Sequence, residues 1–156
     1  MSNIGVRGFY LITTTIKDNL LNDENVNTVT TGDITKIDLA KQTIFPLSHI
    51  IVNSVSQEPQ VLRFNISVIC MDIVDQSKDE VTDIFFGNNN EHDILNTQLA
   101  VVNKLIELLR SGTLYTNQYQ LDGVVSCEPF FDRFENEVAG WVATMDILIG
   151  NDINIC

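Results

Sequence analysis

Leu62-Arg63-Phe64-Asn65-Ile66-Ser67-Val68-Ile69-Cys70-Met71-Asp72-Ile73 is the stretch on which the fold turns. Side chains of a strand alternate between its two faces, so residues of like parity share one environment. Leu62, Phe64, Ile66, Val68 and Cys70 form one apolar face. The opposite face begins polar with Arg63, Asn65 and Ser67, then turns apolar at Ile69, Met71 and Ile73. One face therefore lies on a core throughout, and the other is covered only towards its far end. The cover must be either another layer of this chain or another chain.

Towards the N-terminus, Glu58-Pro59 breaks the chain before this strand. Residues from about Val26 to Val55 read as two short strands around a loop. Gly32-Asp33 offers a turn, and Phe45-Pro46 opens an extended piece ending in Ile50-Ile51-Val52. Further back, Phe9, Ile12, Ile16 and Leu20 recur at spacings of three and four, which predicts a helix from about Ile4 to Asn22. The β-branched run Thr13-Thr14-Thr15 within it suits a strand equally well.

Towards the C-terminus, Asp72 to Asp93 is a long acidic connection. It carries Asp72, Asp75, Asp79, Glu80, Asp83, Glu91 and Asp93 against a lone Lys78, and is interrupted by Ile84-Phe85-Phe86. An amphipathic helix is expected from about Asp93 to Ser111, with Leu95, Leu99, Val102, Ile106 and Leu109 as its stripe, widened by Leu105 and Leu108. Acids at its start, Arg110 at its end and Gly112 beyond suit the helix dipole and a stop. Two strands follow. The first, about Gly123 to Glu135, is interrupted by Pro129 and so is bent or at an edge. The second, about Gly140 to Ile149, puts Trp141, Ala143, Met145, Ile147 and Ile149 on one face and Val142, Thr144, Asp146 and Leu148 on the other. The tail Gly150 to Cys156 alternates weakly at Ile153 and Ile155, a pattern that could add to a strand of another subunit. The expected fold class is α+β: a mostly antiparallel sheet packed against an N-terminal helix and a central amphipathic helix, in a single domain over residues 1–156.

The chain has 156 residues, 44% of them hydrophobic and 19% charged, which suits one globular domain and excludes disorder. Its 21 acids against 9 bases give a net charge of −12. That balance argues against binding a phosphate backbone, which needs clustered Lys and Arg, and against docking on anionic lipid. It leaves plain solubility, an acidic wall along which DNA slides, or an acidic mimic of DNA. No apolar stretch is long enough to span a membrane, and the N-terminus lacks a signal-peptide layout. Cys70, Cys127 and Cys156 are odd in number and widely spaced, against both a disulfide framework and a zinc site. In such a chain the sequon Asn65-Ile66-Ser67 carries no meaning.

The titratable groups assemble into no convincing site. His49 and His92 fall in no metal-ligand pattern, and a satisfied structural role is the better reading of His49. No nucleophile elbow and no phosphate-binding glycine motif occurs. Asp72, Asp75, Asp79, Glu80 and Asp83 lack the ligand spacing of a calcium loop and read as a solvated connection. No catalytic residue, metal or cofactor is expected. Phe130, Phe131 and Phe134 are either core or anchors of a subunit contact.

The element order resembles that of tail-terminator and neck proteins of tailed bacteriophages. Thr43-Ile44-Phe45-Pro46-Leu47-Ser48-His49-Ile50 and the ending from Glu137-Val138-Ala139-Gly140-Trp141 to Asn151-Asp152 look like small neck or ring proteins of phages of gut Bacteroides, the crAss-like phages among them. The resemblance implies a virion structural protein, assembled in the host cytoplasm into a homo-oligomeric ring of six or twelve copies. Its partners would be neighbouring neck, portal-adaptor and tail proteins, with DNA passing through and no membrane involved. On that reading Ile69, Met71, Ile73, Phe85, Phe86, Phe130 and Phe131 are subunit-contact candidates, and Asp75, Asp79, Glu80 and Asp83 face the channel. The alternative is an acidic DNA mimic or regulatory binder. An enzyme with an acidic metal site is the weakest reading.

Overall fold

The computed structural model describes residues 4–34, 44–74, 91–114, 116, 118–133 and 138–151, without the side chains of 4–7 and 131–133. The elements are α1 (Ile4–Leu21), β1 (Thr28–Thr31), β2 (Leu47–Glu58), β3 (Val61–Ile73), α2 (Glu91–Arg110), β4 (Tyr119–Arg133) and β5 (Val138–Gly150). The strands make one five-stranded sheet in the order β1-β2-β3-β5-β4. β1 runs parallel to β2, and every other pairing is antiparallel. The fold class is α+β, with the expected N-terminal and central helices.

Both helices contact the sheet, and its helix-side face carries the main core. Phe64, Ile66, Val68 and Cys70 of β3 lie there, opposite Ile147, Met145, Ala143 and Trp141 of β5. The parities expected for both strands are the observed ones. On α1 the buried stripe is Gly8, Ile12, Ile16 and Leu20, whereas Phe9 is 50% exposed and stacks edge-on with Tyr10. Phe9 thus leaves the core face expected of it, because Gly8 takes that place against Leu62, Phe64 and Ile149. The threonine run is helical nonetheless, and the Thr13 and Thr15 hydroxyls donate back to the Phe9 and Leu11 carbonyls at 2.8 and 2.7 Å. On α2 the buried residues are Ile94, Gln98, Val101, Val102, Leu105, Ile106 and Leu109. The stripe is rotated from the expected one, leaving Leu99 and Leu108 exposed. Apolar residues occupy more than one face of this helix, so periodicity alone did not fix which of them turns inward.

The second face divides as its alternation foretold. Its far end holds a smaller core of Phe45, Leu47, Ile69, Met71, Phe130 and Val138, against which Ile34, Ile44, Ile51, Ile73 and Val142 pack. The cover includes Ile34, Ile44 and Phe45, from the two ends of the connection between β1 and β2. Parallel strands require a long crossover, and its described ends pack on this half of the face. The burial of Ile69, Met71 and Phe130 is accounted for within the chain, without a second subunit.

Gly140 sits where β5 comes closest to β3. A Cβ there would fall inside the Cys70 carbonyl oxygen and 2.8 Å from the Met71 Cα, so only glycine fits. β2 is longer than the short strand expected, reaching Glu58 and turning through Pro59 and Gln60 (φ 67°) into β3. Its register shifts between Val52 and Ser54. β4 begins at Tyr119, earlier than expected, because a bulge between Asp122 and Ser126 interrupts its alternation. Gly123 (φ 70°) makes that bulge, which leaves Val124 90% exposed. β4 is an edge strand, one of the two arrangements that Pro129 left open.

Candidate functional site

Beyond the smaller core, the second face carries a polar network that no other described element covers. The Arg63 Nε–H donates to Glu58 Oε1 at 2.9 Å, and its Nη1 donates to the Asp122 carboxylate. Asp146 Oδ2 lies 3.9 Å from the same nitrogen. The hydrogen bonds from Glu58 and Asp122 hold the Arg63 pKa above its already high ordinary value. From there the ladder continues along the sheet. Asn65 Nδ2 donates to Asp146 Oδ1 at 2.9 Å, and Asn53 Nδ2 reaches Asn65 Oδ1 at 2.9 Å and Ser67 Oγ at 2.8 Å. Ser67 and Thr144 hydroxyls lie 3.2 Å apart. The register places Glu128 opposite Val142 on this side as well. Arg63 is therefore neutralised internally, and the surplus charge of the described side chains around it is negative.

A second surface lies at the other edge of the sheet. A groove of about 200 Å³ runs between α1 and β1, lined by Thr13, Thr14, Lys17, Val29, Thr30, Thr31 and Ile50. Lys17 is exposed and is the only ionisable lining residue among those described.

His49 is fully buried beside β1. The Gly32 carbonyl, 2.8 Å from Nε2, can only accept, so Nε2 carries the proton and Nδ1 accepts from the Thr30 hydroxyl at 2.7 Å. Both ring nitrogens are satisfied in the neutral form, and burial lowers the pKa below 6.5. This is the structural histidine expected. Cys70 lies in the main core, where burial pushes its thiol up to about 12, and Ser48 Oγ donates to it at 3.6 Å. A thiol so held is not a nucleophile. Desolvation raises the Asp72 pKa, opposed by a bond from the Ile73 N–H. No cluster of three His, Cys, Asp or Glu able to hold a metal ion occurs among the described residues.

Of the subunit-contact candidates, Ile69, Met71 and Phe130 are buried in the smaller core and Ile73 is half-buried against it. Phe85, Phe86, Asp75, Asp79, Glu80 and Asp83 lie outside the described residues, as does the Phe131 side chain. The Arg63 network escaped sequence reading because its partners come from three strands. The order β3-β5-β4 sets Asp146 and Asp122 beside Arg63, and no local pattern announces that order. The groove escaped because its walls are threonines with no motif. Among the described residues, no helix is long and apolar enough to cross a membrane. No family model matches the chain, and no curated protein matches it.

Proposed function

We propose that the chain is a non-enzymatic structural subunit of a ring at the neck of a tailed phage, between portal-side proteins and the tail, through which DNA leaves. One observation carries the reading: a single small domain bears two unlike surfaces, an acidic open half-sheet and a threonine-lined groove at the opposite sheet edge. A ring built head to tail needs two different patches on each subunit, whereas an isologous dimer needs only one. The element order matches the one that suggested the resemblance, which further supports it.

The open half-sheet suits a channel wall. Glu58, Asp122 and Asp146 outweigh Arg63, whose guanidinium is already engaged, so among the described side chains a passing phosphate backbone meets no free cation there. A DNA mimic is less well supported. It needs a row of unpaired acids, and here three carboxylates gather on one arginine. Mass spectrometry of purified particles tests the reading: the chain should be a stoichiometric component present in multiple copies. Its absence from particles of a phage that expresses it would overturn the proposal.

A further inference from the structure

We infer that residues Asp152–Ile155 of one copy add as a strand to the outer edge of β1 of the next copy, seated in the groove between β1 and α1. This rests on the ring reading and names the contact that would close it. The first support is the hydrogen-bond parity of β1. The Thr28 N–H donates to the Pro46 carbonyl at 3.3 Å and the Gly32 N–H to the Ile50 carbonyl at 3.2 Å. Alternate residues of a strand bond to opposite neighbours, so Val29 and Thr31 direct their N–H and C=O groups away from β2. No described strand lies on that side. An outward row of this kind, beside a groove walled by a helix, is the arrangement that takes up an extended peptide by strand addition.

The second support is the sequence of the tail. In Asp152-Ile153-Asn154-Ile155 the two isoleucines share one face, which suits the Val29 and Ile50 side chains lining the groove. Asp152 brings the charge opposite to that of Lys17.

The third support is reach. Asn151 is fixed by its N–H to the Gln60 carbonyl at 2.8 Å, beside the Glu58–Val61 end of the β2–β3 hairpin. β1 pairs with β2 only over Leu47–Ile50. The groove therefore lies ~26 Å along β2 and ~14 Å across the sheet from Asn151, or ~30 Å in all. Ile155 cannot be more than ~14 Å from Asn151. The segment cannot enter the groove of its own chain, so the contact is between copies. The contact joins two unlike and well-separated patches, the tail and the groove, as repetition head to tail requires.

The test is titration of a synthetic peptide spanning residues 150–156, with Cys156 replaced by serine, into isotope-labelled full-length chain. Saturable amide shifts are expected at residues 28–32 and 13–17, with a Kd on the order of 1 mM for so short a strand. A peptide carrying Ile153→Asp and Ile155→Asp should bind at least about ten-fold more weakly. Thr31→Pro, which removes an outward N–H at a proline-tolerant edge, should do the same to the chain. No shifts, shifts elsewhere, or equal shifts with the aspartate peptide would overturn the inference. The two readings fail separately. A chain truncated after Asn151 that still assembles at the neck would sink the strand contact and leave the ring. Peptide binding by a chain absent from particles would sink the ring and leave the contact.

Discussion

The second face of the sheet presents Ile69, Met71, Phe130 and Val138 beneath Phe45 at one end, and Arg63, Asn65, Thr144 and Asp146 to solvent at the other. The same strands supply both ends. What differs is a cover, and the cover follows from topology: β1 and β2 are parallel, so the chain must cross over between them, and the crossover ends close one half. The lesson is that a strand turning apolar part-way along one face need not signal a subunit interface. The other half is polar, and no described residue outside the sheet packs on it.

The contrast is broken most sharply at the closed half by Gly140→Ala. Its Cβ would meet backbone of β3, which cannot swing away as a side chain can, so a loss of about 3 kcal/mol or more is expected in urea unfolding. Met71→Ala, in the smaller core, should cost about 2–4 kcal/mol through the lost side chain and the cavity left behind. Met71→Asp should prevent folding of the isolated chain. If instead it folded normally and failed only in assembly, the cover described here would be wrong.

A smaller effect is expected from pH. The His49 pKa is lowered in the folded state, so its contribution to stability is complete above pH 6.5 and is lost as pH falls below that value. The slope from this group cannot exceed about 1.4 kcal/mol per pH unit. Asp72 acts in the opposite sense. Its pKa is raised, so its contribution is complete below pH 3.8 and is lost as pH rises from there towards its folded value. Stability curves for the parent and His49→Gln, measured between pH 7.5 and 5.5, should converge on acidification. Parallel curves would show that His49 titrates as it does in the unfolded chain.

The smallest effect belongs to the open half. Arg63→Met should lower the urea midpoint only slightly, and less in high salt, because the ion pairs it breaks are solvated and screened. A loss as large as that of Met71→Ala would mean that this end also is structurally closed.

Where burial follows from strand alternation, the sequence was readable. Leu62 to Cys70 and Trp141 to Ile149 lie on the faces that their parity predicted. Reading failed where two faces of a helix are both apolar, as with Leu99 of α2, and where a glycine takes the place of a large side chain, as Gly8 does beside Phe9. It failed at β4 because the Gly123 bulge breaks the period of two. The cover over Met71 and the partners of Arg63 were illegible for a different reason: both depend on strand order, which is set by contacts far apart in the chain.

Reconstruction of the intact particle by electron cryomicroscopy decides whether the proposed ring exists. A closed ring of this chain is expected on the head-to-tail axis, with the half-sheet bearing Glu58, Asp122 and Asp146 turned to the channel. Density for the chain off that axis, or an axial ring without it, would rule the proposal out.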